Sequence, residues 1–243
     1  MTRDNASTSA AGPSRWTRLI RFARSHGKAR ALYRLLRRLA ETRVLRGWVR
    51  FFVTEVFRVP VSDVKRYRRI PRTFTVRKAG ETDQPALESY FADSQRVRNR
   101  LRRQDLCVIA VSKGKIGAAV WLALGPKDYQ EDWRDLRCVL RVPAGVCWTF
   151  DGLGTAFGAW GILMACLPPL LEELGASEVY TQIECDNQVS LDSHKSLGYQ
   201  SAGLIGCFGI GPCVLRVYRP HGQRWRLVPG WIGSLEVCGK KEA

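Results

Sequence analysis

An α+β fold is what this 243-residue sequence predicts, and three observations predict it. From residue 73 onward, strand-like alternation and helical periods succeed one another as strand, two helices, three strands, helix, strand, helix, two strands. Hydrophobic residues make up 45% and charged residues 25% of the chain, enough at this length for one substantial core and an appendage. The first seventy residues follow a different rule, helical in period and strongly basic, which predicts an N-terminal helical extension.

Residues 1–14 are rich in Ser, Thr, Ala, Gly and Asn and are expected to be disordered. Residues 15–57 follow a helical period, with Trp16, Leu19, Ile20 and Ala23 on one stripe and Leu32, Leu35, Leu36 and Leu39 on another, interrupted by Ser25, His26 and Gly27. The faces between are nearly all arginine: Arg18, Arg21, Arg24, Arg30, Arg34, Arg37 and Arg38. Residues 59–70, with Pro60 and the run Lys65, Arg66, Tyr67, Arg68, Arg69 before Pro71, read as a linker. Residues 15–71 are therefore expected to form a basic amphipathic helical extension and linker, residues 72–220 the main domain, and residues 221–243 a tail.

Within the domain, strands are expected at 73–78, 106–112, 116–124, 146–151, 179–184, 201–208 and 213–218, with a hairpin across Lys113, Gly114 and Lys115. Helices are expected at 83–91, 94–103, 158–174 and 188–197, and residues 127–137 as a charged loop. Pro168 and Pro169 lie inside the third helix and should kink or restart it, since proline lacks the amide donor and crowds the preceding turn.

The net charge of +17 is uneven: residues 1–70 hold 18 Lys/Arg against 4 Asp/Glu, and residues 71–243 hold 21 against 18. The eight cysteines form no C-x-x-C pair and no histidine stands at ligand spacing, so no metal is expected and the thiols read as reduced, mostly buried and cytosolic. No signal peptide is visible at residues 1–14. The apolar stretch at 44–57 is broken by Arg46, Arg50 and Glu55 and falls short of the roughly 20 residues of a membrane span.

The most informative run is E-C-D-N-Q-V-S-L-D-S-H-K-S-L-G-Y, from Glu184 to Tyr199. It reads as a strand end, an Asn-led turn and a short helix closed by glycine. Asn187 can cap the helix by accepting a bond from a first-turn amide, and Ser190 and His194 follow close to one face. This signature resembles the GNAT acyltransferases, which move an acyl group from coenzyme A, usually to an amine. In that family the same unit carries an asparagine at the turn, a small residue three later, a tyrosine seven later that protonates the departing CoA thiolate, and a closing Gly-aromatic pair. Here His194 stands at the tyrosine position.

The resemblance covers residues 73–218, about three-fifths of the chain, and implies a central mixed, mostly antiparallel sheet flanked by helices. It also implies acyl transfer from acetyl-CoA or another acyl-CoA within a ternary complex, without a metal. The family's pyrophosphate turn is Q/R-x-x-G-x-G/A, against which this chain offers Gly158, Ala159, Trp160, Gly161, Ile162 and Leu163. Gly161 matches the central glycine, while Gly158 replaces the Arg/Gln and Leu163 the last small residue. The preceding Gly152 and Gly154 can let backbone approach a phosphate. Gly158, Trp160, Gly161, Ile162, Leu163, Asn187 and Ser190 are thus the expected cofactor-binding positions.

His194 is the expected general acid, because an imidazole can release a proton near neutral pH; the alternative is a surface histidine beside Asp192 and Lys195. Asp151 and Glu184, at the ends of neighbouring strands, are the candidate bases for the incoming ammonium, or else cap turns or pair with arginines. The extension has three readings: contact with an anionic membrane surface, nucleic-acid binding ranked below it, or packing on the domain. Its layout also resembles bacterial GNAT proteins of envelope and polysaccharide pathways, which implies a small-molecule or envelope amine as acceptor. The expected location is cytoplasmic, peripheral on the inner face of the membrane. The rival to an enzyme is a catalytically degenerate adaptor of the same fold.

Overall fold

The computed structural model describes residues 28–42, 45, 48–65, 73–131, 138–211, 213–228 and 233–236. The expected disorder of 1–14, the stripe from Trp16 to Ala23, the basic run after Lys65 and Cys238 lie outside them. Helix α1 (Lys28–Ala40) is followed by β1 (Val49–Pro60), β2 (Thr75–Lys78), α2 (Gln84–Phe91), α3 (Ser94–Arg102), β3 (Leu106–Ser112) and β4 (Lys115–Leu124). Then come β5 (Lys127–Glu131), β6 (Cys138–Val142), β7 (Val146–Gly154), α4 (Ala159–Glu173), β8 (Glu178–Glu184) and α5 (Gln188–Ser196). The chain closes with β9 (Gln200–Ile210), β10 (Cys213–Pro220), β11 (Arg226–Leu227) and β12 (Gly233–Glu236).

Nine strands form one sheet in the order β11-β10-β9-β1-β8-β7-β4-β3-β2. Every neighbouring pair is antiparallel except β7 and β8, so the sheet is mixed and mostly antiparallel, with helices against it. All the strands and helices expected between 73 and 218 are present, with ends within a few residues. Apolar side chains fill both faces. Phe52, Val56, Trp121, Trp148, Phe150 and Tyr180 belong to one cluster, and Phe57, Val59, Leu163, Met164, Leu167, Val179 and Leu191 to the other.

The largest departure is β1. Residues 49–57, expected to continue the helical extension, form instead the first part of a strand lodged between β8 and β9. The segment VRFFVTEVFRVP is dense in β-branched and aromatic residues. Both its faces are covered, with Phe52, Thr54 and Val56 buried toward one side and Phe57 and Val59 toward the other. A strand buried on two faces shows no polar alternation, which is why its apolar run can be taken for part of a helix. The expected linker is also packed: Val59, Val61 and Val64 are buried.

Helix α1 turns the opposite way from its leucine stripe. Tyr33, Arg37 and Ala40 are buried, while Leu32, Leu36 and Leu39 are exposed. The cause is a set of β1 backbone groups left beyond the end of β8. The Val53 amide donates to the Tyr33 hydroxyl, and the Arg37 guanidinium donates to the Phe51 carbonyl. Satisfying strand backbone has displaced leucine burial.

The expected charged loop, 127–137, opens with β5, which pairs antiparallel with β6 just beyond it, and β12, from the expected tail, adds in parallel to β6. Tyr129, Leu140 and Val142 from this small sheet are buried in the first cluster. Helix α4 is continuous through Pro168 and Pro169, so it does not restart there, one of the two outcomes expected. The two missing amides are offset by burial of Leu163, Met164, Leu167, Pro168 and Leu171 along the same helix. Cys107, Cys147, Cys166, Cys185, Cys207 and Cys213 are free thiols; Cys107, Cys147 and Cys207 are buried, and burial pushes the Cys107 thiol up to about 12. No described helix is long and apolar enough to cross a membrane.

Candidate active site

Strands β7 and β8 pair in parallel only from Val146–Glu178 to Thr149–Thr181. Beyond that point both continue, to Gly154 and Glu184, without bonding each other. The opening holds a cavity of about 280 Å³ lined from β1, β4, β7, β8, α4 and α5, including Thr54, Thr149, Asp151, Gly152, Trp160, Thr181, Glu184, Asn187, Ser190 and His194. The three expected catalytic residues therefore meet at one cleft.

Asn187 caps α5 as expected, its side chain accepting from the Ser190 amide at 3.2 Å. One turn further on, His194 is buried rather than on the solvated face, its ring edge-on to Tyr199 at 5.1 Å and tilted against Trp160 at 6.0 Å. Its Nδ1 lies 2.8 Å from the Ser190 carbonyl oxygen, which only accepts, so Nδ1 carries a hydrogen. In the neutral ring Nε2 is then a bare acceptor. Burial pushes the imidazole below its ordinary value, against the smaller support of the Ser190 carbonyl. At neutral pH the ring thus takes a proton at Nε2 rather than giving one, and donation, the role expected of it, follows only after a proton has been received.

Asp151 ends the buried part of β7 with a left-handed backbone, φ +45°. Two Arg100 nitrogens donate to its Oδ2, at 2.6 and 3.0 Å. Arg100 is only 2% exposed, lies 4.1 Å over the Phe150 ring, and donates a further bond to the Tyr129 hydroxyl at 2.8 Å. Of the outcomes considered for Asp151, base, turn cap or arginine partner, the geometry shows the arginine pairing at Oδ2. Glu184 sits opposite Thr54 in the register of β1 and β8 and is bridged by Arg37 at 2.7 Å. Burial raises the Glu184 carboxyl, and the Arg37 charge opposes that rise.

The α4 turn is built differently from the expected phosphate cradle. A Cβ at Gly152 would stand 2.4 Å from the Trp160 ring, and one at Gly154 2.9 Å from Trp160 Cβ, so these glycines make room for an indole. Gly158 adopts φ +75° as the N-cap, and the amides of Trp160 and Gly161 have no partner among the described residues. Two dipole-bearing donors are thereby left at the helix start. Ile162 and Leu163 are not brought to the cleft: both are buried, Leu163 within the second cluster, and the Ile162 amide is spent on the Gly158 carbonyl.

Thr54, Arg37 and Arg100 escaped the sequence reading. Thr54 and Arg37 lie in a segment whose period suggested an amphipathic helical extension, and nothing in the local sequence marks Arg100 as the buried member of the arginine-rich α3. Among the described residues no group of three or more His, Cys, Asp or Glu could hold a metal ion.

The cleft, the mixed sheet and the capped α5 together define an α+β fold with a site where a parallel strand pair parts. No protein-family model matches the chain, and no curated protein does. Solved structures similar to it include an acetyltransferase of the GNAT family from Colwellia psychrerythraea, 16% identical over 68% of this chain with a TM-score of 0.49. A GCN5-related N-acetyltransferase from Kribbella flavida is 13% identical over 76% of this chain, TM-score 0.46. The chain spans 59% and 64% of those two proteins. An aminoglycoside N-acetyltransferase in complex with CoA is 14% identical over 52% of this chain and 91% of its own length, TM-score 0.40. The likeness is one of fold.

Proposed function

We propose that this protein transfers an acetyl or related acyl group from acyl-CoA to an amine within a ternary complex. The observation that carries the reading is the meeting, where β7 and β8 part, of a buried imidazole with a bare Nε2 and two carboxylates anchored by arginines. The unpartnered amides of Trp160 and Gly161 suit the pyrophosphate, and the α5 side of the cleft the thioester.

Glu184, whose proton affinity is raised by burial, takes the first proton from the ammonium. The neutral amine attacks the thioester carbonyl, forming the new C–N bond. His194 Nε2 takes the second proton from the nitrogen of the tetrahedral intermediate and hands it to the sulfur as the C–S bond breaks. An amide and free CoA thiol result, with one proton left on Glu184. Asp151, held through Oδ2, supplies fixed negative charge facing the amine.

The uneven basic charge and the exposed Leu32, Leu36 and Leu39 of α1 support a cytoplasmic protein lying on an anionic membrane surface, with an envelope or small-molecule amine as acceptor. Trp160 filling the space above Gly152 and Gly154 favours one other reading, an adaptor that has kept the fold and lost the donor site. Titration calorimetry with acetyl-CoA separates the two. Saturable binding in the micromolar range is expected, and absence of binding up to millimolar concentration would overturn the enzyme reading.

A further inference from the structure

The cleft has a second polar end that the proposed chemistry does not use. Thr54 is among the residues lining the cavity, from β1; the residue is 1% exposed, and its buried Oγ1 has no hydrogen-bond partner among the described residues. Its neighbours differ. Thr149 donates to the Tyr180 carbonyl and Thr181 to the Thr149 carbonyl, so both hydroxyls are spent inside the sheet. A buried hydroxyl without a partner is unfavourable and uncommon, and one that borders a cavity is available to whatever fills it.

What it would bind follows from its register. Thr54 and Glu184 face each other across antiparallel β1 and β8, so their side chains stand side by side on one face of the sheet, their Cβ atoms about 5 Å apart. Glu184 is fixed from behind by Arg37, itself buried and also bonded to the Phe51 carbonyl. A carboxylate that holds an ammonium therefore has, one side chain away, a hydroxyl able both to donate and to accept. A ligand satisfying both carries its amine and a hydroxyl on adjacent carbons.

We propose that the acceptor is a 1,2-amino alcohol, its ammonium on Glu184 and its hydroxyl on Thr54, which makes Thr54 the specificity-determining residue of this site. The inference rests on the acyl-transfer reading of the cleft. It also makes the N-terminal segment part of the site, because β1 and α1 build the acceptor wall of the cleft, through Thr54 and through Arg37.

Ethanolamine and n-propylamine make the test clean, since they differ only in a hydroxyl for a methyl group. With acetyl-CoA as donor, kcat/KM for CoA release should be at least about tenfold higher for ethanolamine, in keeping with a site built to bond a hydroxyl. Thr54→Val, nearly the same in shape, should bring the ratio to within about twofold of unity, while Thr54→Ser should keep the preference and so exclude a folding defect. Acetyl-CoA affinity, read by calorimetry, should be the same in all three proteins. Failure to bind acetyl-CoA would sink the acyl-transfer reading itself. Binding of acetyl-CoA with equal use of the two amines, use of neither, or a preference that survives Thr54→Val would overturn the amino-alcohol assignment alone.

Discussion

Two carboxylate–guanidinium pairs flank the cleft, and they are built to different standards. On the β7 side, Arg100 is closed in by Phe150 and Tyr129, places two nitrogens on one oxygen of Asp151, and lies 3.8 Å from the fully buried Asp105, which Lys127 bridges in turn at 2.6 Å. On the β8 side, Arg37 reaches Glu184 from a surface helix and shares itself with Glu41, whose side chain is 51% exposed. The first joins two carboxylates and two cations, with Asp105 Oδ2 left buried and without a hydrogen bond. In the second, one buried guanidinium is divided among Glu184, Glu41 and the Phe51 carbonyl, and the Glu184 carboxyl still feels its burial. On the proposed reading Asp151 serves as fixed charge, and Glu184, whose carboxyl is raised, exchanges a proton with a ligand.

The widest separation between the two should be in stability. Arg100→Met leaves Asp151 and Asp105 without their buried cation, and removing one partner of a buried pair costs about 3–5 kcal/mol. Arg37→Met also removes a buried cation, but the Glu184 and Glu41 side chains are 20% and 51% exposed, so solvent can take over part of the pairing and the cost should be less than about half as much. Urea unfolding of the two variants reads the difference directly. Equal losses would mean that α1 is as integral to the core as α3, and the contrast drawn between the pairs would be gone.

In turnover the order should reverse. Glu184→Gln removes the proposed proton acceptor and should lower kcat by roughly 10²-fold with acetyl-CoA affinity unchanged. Asp151→Asn keeps the shape and one hydrogen-bonding oxygen, so its main effect should be on stability and acceptor KM, with kcat within about tenfold of the parent. A larger fall in kcat for Asp151→Asn than for Glu184→Gln would exchange their roles.

The same contrast shows how far the sequence could be read. The β7 half was legible because its strands and helices follow one another with ordinary spacing, and the α5 cap, Asn187, announces itself by residue type. On the β8 side β8 itself was legible, but its neighbour β1 was not, because that strand comes from more than a hundred residues earlier. Local period cannot distinguish VRFFVTEVFRVP as a two-sided buried strand from an apolar helix end, and long-range pairing alone settles it. Arg37 was misplaced for the same reason: its helical stripe belongs to the polar face, and the Glu184 carboxylate and the uncovered β1 carbonyl, both from distant strands, explain why a guanidinium is buried there while Leu36 is not. The candidate site residues were legible where they sit on strand ends and caps; the partners placed against them come from other elements. One practical consequence concerns the extension. Deleting residues 1–60 would remove a strand from the middle of the sheet, so membrane binding has to be tested with shorter truncations that leave α1 and β1 in place.

The smallest effect should appear in the pH dependence of stability, where the two titrating groups of the cleft act in opposite directions. His194 is held below its ordinary value by burial, so between that depressed value and about 6.5 the unfolded chain binds more protons than the folded one. Its contribution is present above about 6.5 and is lost as pH falls. Glu184 is held above its ordinary value, so the folded chain binds the extra proton, and this contribution is present below about 4.5 and is lost as pH rises through the raised value. Over mildly acidic pH the two partly cancel, and the parent protein should show a shallow slope, each group alone supplying at most about 1.4 kcal/mol per pH unit. Glu184→Gln should therefore steepen the loss of stability on acidification, and His194→Phe should flatten or reverse it. Urea unfolding at pH 7, 6 and 5 for the three proteins checks the sign. If both variants shift the slope in the same direction, the opposed burial effects assigned to the two sides of the cleft are wrong.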